Sequence, residues 1–138
     1  FPTRRSSDLA AAVNESRIRE FFLSDLWKRF ERAMEKGQGY REKAFIIGVP
    51  AAEVTDAKLV RSPGELVMIQ GVIDMYFEEE NGLVLVDYKT DRVLDREHYI
   101  RTYTPQLEEY AEAIRRCTGR DVSERIIYAF ELREEIKL

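Results

Sequence analysis

The stretch from Leu66 to Thr90 constrains the fold more than any other. Two runs rich in aliphatic and aromatic residues, Leu66–Phe77 and Leu83–Thr90, flank Glu78–Gly82, EEENG. Asn81-Gly82 between such runs is the strongest short signal for a hairpin. Side chains alternate between the two faces of a strand. On a two-residue Asn81-Gly82 loop, Glu80 faces Leu83, Glu78 faces Leu85, Tyr76 faces Asp87 and Asp74 faces Lys89. This register collects Met75, Phe77, Val84, Val86 and Tyr88 on one face, suited to a core. It collects Asp74, Asp87 and Lys89 on the other. A slip of one residue would scatter both sets.

The remaining pattern supplies partners for such a hairpin. From Asn14, a candidate cap, the residues Ile18, Phe21, Phe22, Leu26, Phe30, Ala33 and Met34 recur at helical spacing, with Ser24-Asp25 restarting the helix and Gly37 and Gly39 ending it. Their aromatic stripe, Trp27 included, is expected to pack in the core. Ala44–Val49, AFIIGV, closed by Pro50, reads as a strand, and 51–65 as a loop with a turn at Ser62-Pro63-Gly64. Asp95–Thr118 reads as a helix that Pro105 breaks or reopens and Gly119 ends. Ser123–Leu132 holds a last strand. Helix, three strands, helix, strand predicts an α/β (α+β) fold with a mixed sheet flanked by helices. Residues 1–9, FPTRRSSDL, carry no period and resemble translated adapter sequence. We therefore set 1–14 apart as a leader, with 1–9 as non-native, and read 15–138 as one domain.

Composition narrows the function classes. Of the 138 residues, 44% are hydrophobic, enough for a core, and the net charge of −4 argues against a uniformly basic nucleic-acid surface. No apolar run reaches the ~18 residues a membrane span needs, and the first residues lack the apolar region of a signal peptide. Cys117 is the only cysteine. That excludes an internal disulfide and a metal centre built on several cysteines, and makes a reduced, cytoplasmic setting the expectation.

Two carboxylates opposed across a hairpin lie within ~5.5–8 Å of each other and raise each other's pKa. A divalent cation removes that conflict. Oxygen ligands suit magnesium or manganese, and magnesium commonly takes one or two carboxylates plus substrate phosphate. Lys89 beside them would orient a water or hold a phosphate oxygen. These parts suit phosphodiester hydrolysis. On spacing alone, an exposed Asp74–Lys89 ion pair with a solvated Asp87 fits equally.

The run Gly71–Val93, GVIDMYFEEENGLVLVDYKTDRV, resembles the core of the PD-(D/E)XK nuclease superfamily. Within it, the resemblance is to the RecB-like nuclease domains of the AddA-type subunits of bacterial AddAB helicase–nucleases. Asp74 matches the metal-binding acid of the family's G-[IV]-[IV]-D strand. Asp87 and Lys89 match the acid and lysine of its D-Y-K strand. Gln106 and Tyr110, in QLEEY, match its Q-x-x-x-Y element, and Arg41–Phe45, REKAF, is similar to its E-x-P-F segment. The resemblance covers roughly Glu15 to Leu132. It implies a restriction-endonuclease-like αβββαβ core. It also implies catalysis by Asp74, Asp87 and Lys89, with Asp74 and Asp87 on Mg2+ or Mn2+. Gln106 and Tyr110 are implied as substrate-binding or accessory residues; Thr90, beside Lys89, is a further accessory candidate.

The function implied is a metal-dependent DNA exonuclease domain of an ATP-driven helicase/nuclease in double-strand-break repair and recombination. Its partners would be DNA, an AddB-like subunit and the helicase part of the same polypeptide. RecB-like nucleases carry a histidine on a helix well upstream of these motifs. The only histidine here, His98, follows the D-Y-K strand. The chain is therefore expected to be an N-terminally truncated fragment of a larger subunit. An alternative is a catalytically impaired nuclease-like module with a structural or DNA-guiding role. Glu42 is a lesser candidate for the site, and His98 is expected to be solvated. Arg115, Arg116 and Arg120 are read as a solvated helix end rather than a DNA contact.

Overall fold

In a computed structural model, residues 15–54 and 64–138 are described. The expected leader, the Asn14 cap and Ser62-Pro63 of the expected turn lie outside the described residues. Helix α1 (Glu15–Phe22) and helix α2 (Asp25–Glu35) are separated by Ser24, whose hydroxyl caps α2 through the Trp27 N–H. Strand β1 (Gly39–Pro50) follows, then one turn of helix, α3 (Ala51–Val54). The hairpin of β2 (Leu66–Glu79) and β3 (Gly82–Lys89) leads into α4 (Arg96–Thr118). Strands β4 (Val122–Ala129) and β5 (Glu134–Lys137) close the chain.

The five strands form one mixed sheet in the order β1-β2-β3-β4-β5. Neighbours are antiparallel except β3 and β4, which run parallel. A parallel pair needs a long crossover, and α4 supplies it. Its cap is Asp95, which accepts from the Glu97 N–H, and it ends on Gly119 in the left-handed conformation at φ 75°.

The sheet is covered on both sides. Phe21, Leu26, Phe30 and Ala33 from α1 and α2 pack on Met75, Phe77, Val84, Val86, Tyr88, Ile126 and Tyr128. Tyr99, Leu107, Ala113 and Ile114 from α4 pack on Phe45, Ile47, Ile73, Tyr76, Leu83, Leu85 and Ile127. The expected apolar face of the hairpin is therefore the face that α1 and α2 bury, with Trp27 edge-on to Phe21 and Phe22.

Three expectations change. First, Pro105 neither breaks nor reopens α4, which runs through it as one helix. Tyr99 and Leu107, both fully buried, anchor the helix on either side, and tertiary packing outweighs the lost backbone bond. Second, β1 begins at Gly39 rather than Ala44, drawn out by Tyr40 stacking on Tyr76 at 4.7 Å. Third, β5 was not foreseen. It is a four-residue edge strand, EEIK, with Ile136 its only buried residue, so almost no apolar alternation marks it.

The hairpin register also differs. Glu79 pairs with Gly82 across a Glu80-Asn81 loop, and Tyr76 faces Leu85 rather than Asp87. A Cβ on Gly82, at φ 131°, would lie 3.0 Å from both Cβ and Oγ of Ser123. Gly82 thus gives β4 room to approach, and Ser123 donates to the Leu83 carbonyl at 3.0 Å. The partner of Tyr76 moves by two residues, so every side chain keeps its expected face.

Candidate active site

Strands β2 and β3 bring the acids together. Continuing the observed register one step past the Met75–Val86 pair sets Asp74 opposite Asp87. The β1–β2 ladder skips this point: Arg41 pairs with Met75 and Lys43 with Ile73, while Glu42, between them, takes φ 49°. Ile73 and Tyr76, three residues apart, both belong to the α4-side core. Regular alternation is thus interrupted at Asp74. Asp74 accepts a hydrogen bond from the Tyr88 N–H at 2.8 Å, so β3 backbone holds it.

Asp74 and Asp87 are each 1% exposed and are the only buried charged or polar side chains among the described residues. Burial pushes the Asp87 carboxyl up to about 7, reinforced by the charge of Asp74 and a hydrogen bond with it. Lys89 opposes that rise, its Nζ 2.7 Å from Asp87 Oδ2.

Helix α4 supplies the wall beyond Lys89. Lys89 Nζ donates to Gln106 Oε1 at 2.7 Å and lies 4.0 Å from the centroid of the Tyr103 ring. Gln106 Nε2 in turn donates to the Tyr110 hydroxyl at 3.4 Å. The Tyr110 ring stands edge-on to Phe45 at 5.5 Å. A Cβ on Gly71 would sit 3.0 Å from the Phe45 ring and 3.4 Å from Tyr110, so this glycine lets the rings close over β2. Asp74, Asp87, Lys89, Gln106 and Tyr110 therefore form one connected group. Thr90, half-buried one residue past β3, takes part in none of these contacts.

Sequence reasoning missed two neighbours and underweighted a third. Asp91 Oδ2 accepts from the Tyr103 hydroxyl at 2.7 Å and lies 3.0 Å from His98 Nε2. His98 is thus tied to the loop after β3 rather than left to solvent. The available signal was the spacing of Tyr99, Tyr103, Gln106 and Tyr110, which repeats on one face of a helix. The three arginines are internally paired: Arg115 and Arg116 with Glu112, Arg116 also with the Gly48 carbonyl, and Arg120 with Glu78.

The donor set can be weighed for a metal. Among the described residues, no cluster of three or more His, Cys, Asp or Glu side chains is suited to a cation. A pair of buried carboxylates, one of them driven toward protonation, still fits a hard divalent cation. Magnesium commonly takes only one or two protein carboxylates and completes its shell with water and phosphate. No helix among the described residues is long and apolar enough to cross a membrane.

A profile of the PD-(D/E)XK nuclease superfamily matches residues 3–136. The chain belongs to this superfamily. It is 38% identical to the AddA polypeptide of the ATP-dependent helicase/nuclease of Lachnoclostridium phytofermentans, covering 93% of this chain and 12% of that protein. The proteins of the same name from Clostridium botulinum and Alkaliphilus metalliredigens are 40% and 42% identical, over 91% and 93% of this chain and 10% of each. The chain thus spans about a tenth of the length of the curated relatives it matches. The mixed sheet flanked by helices is the restriction-endonuclease-like fold of this superfamily.

Proposed function

We propose that residues 15–138 form a metal-dependent DNA exonuclease domain that hydrolyses phosphodiester bonds. It would work within an ATP-driven helicase/nuclease in double-strand-break repair and recombination, in the cytoplasm. The names of the relatives support the helicase context, an AddB-like partner and a motor on the same polypeptide. One observation carries the chemical reading: Asp74 and Asp87, both buried, meet beside the Lys89 ammonium. Burying two acids together is costly, and no packing need in the sheet calls for it.

Asp74 and Asp87 would hold Mg2+ or Mn2+, which when bound supplies Lewis-acid polarisation of the scissile phosphate and a more acidic water. The residues themselves do the positioning. The Tyr88 N–H fixes Asp74. Gln106 accepts one Lys89 proton and leaves the ammonium two others, to orient a water or hold a phosphate oxygen. Tyr110 steadies Gln106 from the same helix face. Thr90, at the strand exit, is assigned an accessory contact with substrate.

A second reading has its own observation. The Lys89–Asp87 contact at 2.7 Å already neutralises one acid, as an inert ion cluster in a DNA-guiding module would. Asp87→Ala separates the two. As a nuclease, the complete enzyme should lose DNA degradation by orders of magnitude while ATP-driven unwinding persists. Calorimetry should show weakened magnesium binding. Lys89→Ala should stop cutting but weaken metal binding far less, because an ammonium is no ligand. Cutting by Asp87→Ala at the wild-type rate would exclude the nuclease role.

A further inference from the structure

Lys89 ends a strand, and its long side chain has many rotamers to choose among. Asp87 and Gln106 each take one of its protons at 2.7 Å. Those two contacts fix the charged tip. The third contact is of another kind, the face of the Tyr103 ring 4.0 Å away. An ammonium over an aromatic face is held by the ring quadrupole.

The ring is itself anchored. Tyr103 donates its hydroxyl to Asp91 Oδ2 at 2.7 Å, and His98 Nε2 lies 3.0 Å from the same oxygen. The Asp91 carbonyl accepts from the Tyr99 hydroxyl at 2.8 Å, and that hydroxyl also reaches the Val93 carbonyl at 2.7 Å. Asp91 lies two residues beyond Lys89, so the chain leaving β3 turns back onto the helix that supports Lys89. Burial opposes ionisation of Asp91, yet the bonds from Tyr103 and His98 hold its carboxyl below the usual range. A phenol bonded to a carboxylate keeps its proton and carries a more electron-rich ring, which strengthens the hold on a cation.

We propose that Tyr103 is a positioning residue for Lys89, its ring braced by Asp91, His98 and Tyr99 so that the ammonium stays on the Asp87 side of the site. This rests on the role assigned to Lys89 above. It adds the statement that geometry at Lys89 is set by an aromatic face as well as by hydrogen bonds. Nothing about Tyr103 requires contact with substrate.

The test is NMR of the Lys89 side chain in the 138-residue chain, comparing wild type with Tyr103→Phe, Tyr103→Leu and Asp91→Ala. In the wild type, the ring current of Tyr103 should displace the Lys89 ε-methylene protons upfield. Tyr103→Phe should keep most of the displacement, Tyr103→Leu should abolish it, and Asp91→Ala should reduce it by freeing the ring. With a single-stranded oligonucleotide and magnesium, Tyr103→Leu should lower turnover roughly tenfold with KM little changed, and Tyr103→Phe should rescue it. Lys89 signals without displacement in the wild type would overturn the proposal. So would signals unchanged in folded Tyr103→Leu, or, where that variant does not fold, in Asp91→Ala. The spectra decide positioning whether or not the chain cleaves DNA. Absent cleavage by wild type with the displacement intact would instead count against the nuclease function of this chain.

Discussion

The two faces of the β2–β3 hairpin come from the same residues read alternately, yet they end differently. On the α1–α2 side, Met75, Phe77, Val84, Val86 and Tyr88 are buried without interruption. On the α4 side, Leu83, Leu85 and Tyr76 begin in the same way, and then Asp87 and Asp74 take positions just as buried. One face spends its burial on apolar contact. The other uses burial to hold charge away from water, where a carboxylate pair is reactive toward protons and cations. The first face stabilises the sheet; the second draws on that stability.

If so, the largest loss of stability should come from the face without charges. Phe21 is fully buried and meets Phe22, Trp27, Tyr88, Tyr128 and Phe130 at ring separations of 4.8–5.8 Å. Phe21→Ala is predicted to cost about 3–5 kcal/mol. Magnesium affinity of the molecules that remain folded should be unchanged, because α1 touches the sheet face opposite the acids. Urea unfolding with calorimetry measures both. A cost below about 1 kcal/mol, or a metal affinity that falls in step with stability, would break the division between the faces.

On the charged face the sign reverses. The Asp87 carboxyl is raised to about 7 when folded and metal-free, against about 3.9 in the unfolded chain. Between these values the unfolded chain has lost the proton and the folded one keeps it. Stability therefore falls as pH rises from about 4 through about 7, and above that the whole penalty is present. Asp87→Asn is predicted to flatten that slope and to stabilise the metal-free protein at pH 8 by about 1–3 kcal/mol. The gain is limited because Lys89 loses its counter-charge. Denaturation of wild type and variant from pH 4 to pH 8 with a chelator present is the measurement. A wild type that gains stability over this range would show that Asp87 is ionised without penalty.

How much of this was legible depended on whether local pattern or distant packing decided it. The division of the hairpin between two faces was legible, because alternation depends only on strand periodicity. So was the αβββαβ order, which follows apolar runs and their punctuation. The pairing itself was not. Asn81-Gly82 has the composition of a turn, but Gly82 is needed where Ser123 approaches from a strand some forty residues away. The misplaced loop changed Asp74's facing residue from Lys89 to Asp87, an even step that left the cluster recognisable. Asp91 and Tyr103 stayed hidden because their link joins a loop to a helix, and no short-range period reports such a contact. Pro105 misled for the opposite reason: its local signal is strong, and burial of Tyr99 and Leu107 overrides it.

The outer side of α4 offers the smallest effect and the sharpest control. Glu112 accepts from Arg115 at 2.5 and 2.9 Å and from Arg116 at 2.9 Å. These bonds, Arg115's first, hold its carboxyl at about 2. By distance alone this cluster looks tighter than the one at Asp87. Its direction is also opposite: a lowered carboxyl stabilises above the unfolded value near 4.5 and loses that contribution as pH falls through about 2. Yet the side chain of Glu112 is 38% exposed and that of Arg115 50% exposed, so water and salt already serve both charges. Glu112→Gln is therefore predicted to leave the thermal midpoint at pH 7 unchanged within measurement error, at low and at high salt. A clear drop at low salt that vanishes at high salt would mean that proximity of charges matters on this protein even where solvent reaches them. The contrast between the faces would then rest on pairing geometry rather than on burial.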